Sequence, residues 1–171
     1  MRGYTLIETI IVIAITAILS GAIIGYTRST ENQIILYRDQ AVIVGVLNRA
    51  KSLAIQKFNQ VSSGYSSCAF GVHFEGPRTF VLFQDLTDGN CNAPGRSFVY
   101  DASGGEALQT FSLDSRLNFI GLPVGVDVAF IPPDLIATTT LAGGFPVMIT
   151  IQSNTGGLTA STTISRAGQI T

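Results

Sequence analysis

The sequence predicts an α+β protein in which one long N-terminal helix first protrudes and then packs on an antiparallel β-sheet domain. Two observations predict the helix: residues 10–24 form a largely aliphatic run with no charge and nothing more polar than Thr16 and Ser20, and apolar residues then recur at helical spacing as far as Ala54. A third observation predicts the sheet, because after Gly64 the pattern changes to short alternating runs separated by turn residues. The 171 residues suffice for one domain with an appendage.

Composition limits the partners of this chain. Charged residues make up 12% of the sequence and the formal net charge is −1, which is too weak a field to gather nucleic acid or acidic ligands. Hydrophobic residues reach 46%, and much of the excess lies in the first 26 positions. A protruding apolar helix of this kind requires a membrane or neighbouring chains around it.

The N-terminal segment 4–26 is predicted to span a membrane. As a helix it would be about 34 Å long, enough to cross a bilayer core of about 30 Å. A secretory signal peptide is the competing interpretation, but its apolar region usually covers about 7 to 15 residues and ends at a small-residue cleavage site. The run here reaches that upper limit and continues into helical sequence. Arg2 and Arg28 flank the segment, so charge alone says little about its orientation.

Glu8 places a carboxylate near the start of this apolar helix. Inserting such a charge costs up to about 2.5 to 3.5 kcal/mol at a membrane centre, and less near an end. One interpretation is that Glu8 lies in the headgroup region and complements the positive end of the helix dipole. The other is that Glu8 has a charged partner outside its own chain.

The string Gly3-Tyr4-Thr5-Leu6-Ile7-Glu8, with the aliphatic run behind it, resembles the class III leader of type IV pilins and pseudopilins. The resemblance implies that prepilin peptidase cuts after Gly3, removes the leader 1–3 and leaves Tyr4 as an N-methylated N-terminus. The family usually has Phe where this chain has Tyr4, so aromatic character is kept.

The same resemblance implies a structural role and a location. Before assembly the chain would sit in lipid as a single-pass protein of the cytoplasmic membrane, with its C-terminal domain outside. It would then pass, through the inner-membrane assembly platform, into a pilus or pseudopilus made of related subunits. There Glu8 would pair with the N-terminal amine of a neighbour, and only the correct axial register would neutralise both charges.

Beyond residue 26 the helical pattern continues through an amphipathic extension, residues 27–60. Its apolar stripe comprises Leu36, Ile43, Leu47, Ala50 and Ala54. The polar residues expected largely off that stripe are Arg38, Asp39, Asn48, Arg49, Lys51 and Lys57. A helix from Tyr4 to Phe58 would extend about 80 Å, far more than the width of a small domain, so its first half must protrude.

The remaining segment, 65–171, is predicted to be a β-rich head domain. The expected strands are Ala69–Phe74, Thr79–Gln84, Ser97–Asp101, Leu108–Ser112, Val124–Phe130, Val147–Gln152 and Thr162–Ser165. The early hairpin, the turn 85–90 and the closing run 162–170 resemble the GspH/FimT group of minor pilins and pseudopilins. The type IV pilin fold that this implies has its long helix packed on the head sheet.

Cys68 and Cys91 lie in the domain expected outside the cytoplasm, where a disulfide persists. A bridge between them would stabilise the head by roughly 3 kcal/mol through loop closure. Two buried thiols are the alternative.

Catalytic signatures are absent from the sequence. His73 is the sole histidine and lies in an expected strand, which favours a half-buried structural role, and no nucleophile elbow, phosphate loop or zinc motif occurs. Asp85, Asp88 and Asn90 could offer oxygens to calcium, but their spacing departs from the EF-hand, no bidentate Glu follows, and an Asp-Gly hairpin turn is the favoured interpretation. We therefore expect that this protein is not an enzyme and that it binds no metal or cofactor.

Two rival functions remain open. A DNA-binding minor pilin would need clustered cations, yet Arg166 is the only basic residue after Arg116, which argues against nucleic acid as a partner. A membrane-anchored adhesin that never polymerises would keep the helix but leave the Gly3–Tyr4 bond intact. The leader does not distinguish a pilus from a type II secretion pseudopilus or a competence fibre, nor a tip position from a shaft position.

Overall fold

A computed structural model describes residues 5–57, 61–62, 65–87, 91, 98–155 and 157–171, with the backbone alone at 24–29 and 61–62. One helix precedes a set of antiparallel strands. The elements are α1 Leu6–Lys57, β1 Val61–Ser62, β2 Tyr65–Phe74, β3 Thr79–Thr87, β4 Ala107–Ser112, β5 Leu117–Ile120, β6 Val126–Ile131, β7 Ile136–Thr139, β8 Val147–Ser153 and β9 Thr159–Ile164.

The 52-residue helix α1 begins at a polar cap. The Thr5 carbonyl accepts the amides of Glu8 and Thr9, and the Thr5 hydroxyl also accepts the Glu8 amide at 3.4 Å. These bonds satisfy donors that have no partner within the first helical turn. At 1.5 Å per residue the helix is about 78 Å long, close to the length expected from the sequence.

The strands form two antiparallel sheets. The larger has the order β4-β3-β2-β6-β7, with β1 paired to β2, and the smaller has the order β5-β8-β9. The helix contacts strands of both sheets, so it closes one core between them. This arrangement confirms the α+β class and is type IV pilin-like: an apolar N-terminal helix continues into a helix packed on antiparallel sheets.

The core forms where the second half of α1 meets the sheets. All five apolar residues expected on the stripe are buried: Leu36, Ile43, Leu47, Ala50 and Ala54. They pack against aromatic and aliphatic side chains on alternate positions of the strands, among them Phe70, Phe74, Phe80 and Phe130. Alternation along a strand sends every second residue to one face, which explains why these four share a side.

The opposite face of the larger sheet, which we call the outer face, carries a second small cluster. Ala69, Phe83 and Ala129 are fully buried there, and Phe98 and Tyr100 pack against them. Gly71 lies between these residues, where a Cβ atom would come within 2.5 Å of the Val128 carbonyl oxygen. Glycine is therefore required for β2 and β6 to approach this closely.

Several strand predictions need correction. No strand covers 98–101, although Ser97–Asp101 was expected to be one; residue 97 lies outside the described part, and Phe98 and Tyr100 cover the outer face instead. The four-residue strands β5 and β7 and the short β1 were not expected from the pattern. Runs this short depend on their sheet neighbours rather than on local propensity. The other strands occur with ends shifted by a few residues.

Candidate functional site

The first feature with functional meaning is the apolar part of α1, residues Leu6–Ile23. No residue of this 18-residue stretch is buried, and its mean hydropathy is 2.4. It is the one helical segment, among the described residues, long and apolar enough to cross a membrane, although a signal sequence has the same length and composition. Its aliphatic side chains lie outside the head, as in Leu6 at 79% exposed and Ile18 at 72%.

The hydroxyl groups within Leu6–Ile23 bond back to the helix. Thr9 donates to the Leu6 carbonyl at 2.7 Å, Thr16 to the Ile13 carbonyl at 2.9 Å, and Ser20 to the Thr16 carbonyl at 2.7 Å. An apolar environment penalises polar groups that lack a hydrogen bond. The exposed surface of this segment is therefore suited to lipid or to a dry protein core.

Glu8 differs from its neighbours in carrying charge. Its amide is held by the Thr5 cap, but its exposed carboxylate has no ion pair or hydrogen bond within the described part of the chain. Gly3 and Tyr4, the expected processing residues, lie outside the described residues. The carboxylate is thus available to a group from another molecule, and the pairing role of Glu8 stays a prediction.

A second feature is the junction where α1 enters the head. Asp39 is buried at 4% exposure, whereas the sequence pattern placed it among the polar residues off the buried stripe. Its Oδ2 accepts the backbone amide of Asp114 at 2.7 Å, and its Oδ1 pairs with Arg38 at 2.8 Å. Burial of this carboxylate is explained by those two partners, which local periodicity does not reveal.

Arg116 extends the junction on the solvent side. It donates to Glu31 on α1 at 2.9 Å and to Asp114 at 3.1 Å. Hydrogen bonds from Arg116 lower the pKa of Asp114, and hydrogen bonds to Asp114 and Glu31 raise the pKa of Arg116. Exposed pairs stabilise little, so Arg116 orients the emerging helix more than it strengthens the fold.

The predicted disulfide is confirmed: Cys68 and Cys91 are bonded, with their Cα atoms 5.1 Å apart. Cys68 lies on β2 and is buried. The bridge therefore holds Cys91 to the sheet. Phe98 and Tyr100, which follow Cys91 along the chain, cover the outer face.

Two acidic residues hold the chain in place near Tyr100 and Asp101. The Glu106 carboxylate accepts the Leu86 amide at 2.9 Å and the Asp101 amide at 2.7 Å. Asp127 pairs with His73 at 2.7 Å, and the His73 ring lies 4.6 Å from the Tyr100 ring. Burial raises the pKa of both carboxyls, while in Asp127 the bond to His73 opposes the shift.

These groups do not form a catalytic arrangement. The side chain of His73, expected to be half-buried, is 15% exposed, and its partners among the described residues are a carboxylate and an aromatic ring rather than a nucleophile. Asp85 lies within β3 and is buried, so its expected place in the turn 85–90 is wrong; Asp88 and Asn90 lie outside the described residues. The described part of the chain contains no cluster of metal-ligating side chains.

Comparison with known proteins gives one match. Residues 1–24 match the family model described as the prokaryotic N-terminal methylation motif, which is consistent with a type IV pilin-like protein. No curated protein matches the chain. No solved structure matches it either. The match covers Glu8 and the apolar stretch Leu6–Ile23.

Proposed function

We propose that this chain, which carries the methylation motif at residues 1–24, is a minor pilin or pseudopilin: a structural subunit of a type IV pilus or a type II secretion pseudopilus. Its proposed partners are prepilin peptidase, the inner-membrane assembly platform, membrane lipid before assembly, and other pilin or pseudopilin subunits. It performs no catalysis. The domain outside the membrane, 65–171, gives each subunit its surface in the filament.

One observation carries the proposal. The described apolar stretch within the motif, Leu6–Ile23, protrudes from an otherwise well-packed head, and none of its residues is buried. An isolated apolar helix in water would be strongly disfavoured, since burial of apolar area contributes roughly 25 cal/mol per Å². Packing against identical helices in a filament would bury that area after the helix leaves the lipid.

Glu8 supports the assembly step in this proposal. Its carboxylate is exposed on the apolar helix and lacks a partner within the described chain. The amine of Tyr4, freed by cleavage after Gly3, would supply the opposite charge from a neighbouring subunit. In a dry core an unpaired charge is costly, so correct axial register would be selected over others.

The two rivals differ from this proposal in what they require. A DNA-binding subunit requires clustered cations, and Arg166 stands alone in the sequence after Arg116. A membrane adhesin that does not polymerise requires the helix but not the cleavage. Cleavage of the Gly3–Tyr4 bond therefore distinguishes a filament subunit from a membrane adhesin.

The test is the intact mass and N-terminal sequence of the membrane-extracted protein, with and without a co-expressed prepilin peptidase. Loss of Met1-Arg2-Gly3 together with a methyl group on Tyr4 is expected only with the active enzyme. A catalytically dead peptidase serves as the control. An uncut chain beside an active peptidase, itself verified on a known prepilin, would refute the proposal.

A further inference from the structure

The β7 end of the larger sheet forms an open cleft. β7 is an edge strand that pairs with β6 on one side only. Its other side faces a cavity of about 430 Å³, which lies within the range of roughly 300 to 1,000 Å³ typical of ligand sites. The cleft is lined by β7 itself, Ile131, Gly144, Phe145 and Arg166.

The backbone of β7 is only partly used at this edge. The Ala137 amide donates to the Arg166 carbonyl at 2.9 Å, so the chain after β9 covers the first half of the strand. Alternate residues of a strand point their amides and carbonyls to the same side. The Ala137 carbonyl and both backbone groups of Thr139 therefore face the cleft, and no protein hydrogen bond to them is found among the described residues.

The side chains add an apolar wall and one charge. Ile131 and Phe145 are half-buried, and Ile136 is 46% exposed. Arg166 is exposed, and its guanidinium has no ion pair or hydrogen bond within the described part of the chain. The described residues that line the cleft include no acidic side chain. The charge of Arg166 is therefore complementary to a carboxylate that the protein itself does not supply.

We propose that this cleft binds an extended segment of a partner protein, which adds a strand to β7 and places a carboxylate on Arg166. Strand addition uses the free backbone groups at Ala137 and Thr139, and neighbouring pockets select alternate side chains. The arginine fork recognises a carboxylate through two parallel hydrogen bonds. This assignment goes beyond the filament role and does not depend on it.

A nucleic-acid partner fits the cleft less well. Phosphate backbones are bound through several cations, and Arg166 is the only basic residue among the described residues that line the cleft. The free groups at the edge of β7 repeat along a strand, which matches the backbone of an extended peptide rather than a sugar-phosphate chain.

The test uses the full chain in detergent micelles and a short fluorescent peptide of alternating Val and Thr with one central Glu. Saturable binding is expected by fluorescence anisotropy. Replacing the peptide Glu with Gln should weaken binding about tenfold or more, since hydrogen bonds to charged groups are that strong. A peptide with a central Pro, which lacks the backbone donor, should bind much more weakly.

Variants of the protein assign the site. Arg166→Gln should weaken the Glu peptide about tenfold or more and leave the Gln peptide unchanged. Thr139→Pro removes the outward amide, is tolerated at a strand edge, and should weaken both peptides. Lys57→Gln, at the exposed end of α1, is the matched control and should bind both peptides as the parent does. Near-ultraviolet circular dichroism verifies that each variant is folded.

Equal affinity for the Glu and Gln peptides, retention of binding in folded Thr139→Pro, or no saturable binding at millimolar peptide would overturn the proposal. Binding of a short oligonucleotide that is lost in Arg166→Gln, with no binding of the Glu peptide, would instead assign the cleft to nucleic acid.

Discussion

Glu8 is the residue on which assembly is expected to depend. We expect Glu8→Gln to leave membrane insertion unchanged, because the variant removes charge from an apolar helix without altering its length. Incorporation into filaments should fall about tenfold or more, the effect of losing one hydrogen bond between charged groups. Fractionation of membranes and quantification of sheared filaments measure the two steps.

Glu75→Gln provides the control for Glu8, since it neutralises an exposed glutamate that lies in the head, outside Leu6–Ile23. Its incorporation should match that of the parent chain. Filaments that contain Glu8→Gln at the parental level would contradict the register role.

Asp39 is the residue that anchors α1 in the head. We expect Asp39→Ala to lower the free energy of unfolding by about 1 to 3 kcal/mol, because the Asp114 amide would lose its buried acceptor. Asp39→Asn retains one acceptor oxygen and should cost less. Denaturant unfolding in detergent measures both, with Asp134→Ala, at an exposed position, as the control. An equal effect of Asp39→Ala and Asp134→Ala would rule out the anchoring role.

Glu106 makes stability depend on pH, because burial raises its pKa above the ordinary glutamate value of 4.5. A carboxyl whose pKa is higher in the folded state than in the unfolded state stabilises the fold when it is protonated. This contribution is complete below the pKa of the unfolded state and is lost as pH rises through the pKa of the folded state. The stability of the parent relative to Glu106→Gln should therefore decrease as pH rises from 4.5.

Denaturant unfolding over a pH series measures this difference for Glu106. Glu106→Gln loses one hydrogen bond from a backbone amide. This loss lowers the free energy of unfolding by an amount that does not vary with pH, so it does not change the slope of stability against pH. Glu75→Gln, at an exposed glutamate, should show no such slope relative to the parent. Parallel curves for the parent and Glu106→Gln would disprove the prediction.

At the scale of elements, the contact between β2 and β6 depends on Gly71. A Cβ atom there would lie 2.5 Å from the Val128 carbonyl oxygen and 2.8 Å from the Phe83 ring. We expect Gly71→Ala to lower the free energy of unfolding by about 1 to 3 kcal/mol, the usual cost of overpacking. Gly76→Ala, with no atom within 4 Å, is the control in the same denaturant experiment. Similar stability of the two variants would show that the sheet adjusts freely.

The helix is the element with two environments. Its second half is buried against both sheets, whereas no residue of Leu6–Ile23 is buried. Asp39 and Arg116 hold the boundary between these halves, so the direction in which the apolar part leaves the head is set by the junction rather than by the helix alone.

At the scale of the whole molecule, the head should fold without the apolar segment. We expect a chain that begins at residue 27 to be soluble without detergent and to unfold cooperatively, because no residue of Leu6–Ile23 contributes to the core. Its near-ultraviolet circular dichroism should match that of the full chain in detergent. A truncated chain without fixed aromatic signals would show that the first half of α1 supports the head.

Local pattern determined much of this protein. The leader, the apolar run, the stripe Leu36 to Ala54 and most strands are visible in the sequence, because each depends on periodicity or on residues close together in the chain. The disulfide was expected from the two cysteines and from the predicted location of their domain outside the cytoplasm. Glu8 was identifiable as a charge in an apolar helix, whereas its pairing with a neighbour's amine came from the family resemblance and stays a prediction.

Only the tertiary structure decided the rest. Burial of Asp39 depends on an amide from Asp114, far away in sequence, and the ordering of β5 and β7 depends on neighbouring strands that supply their hydrogen bonds. The covering segment at Phe98 and Tyr100 had the composition of a strand but found its partners on the outer face. The cleft beside β7 likewise brings Phe145 and Arg166 to one edge. Contacts between distant residues produce these features, so no local window of sequence contains them.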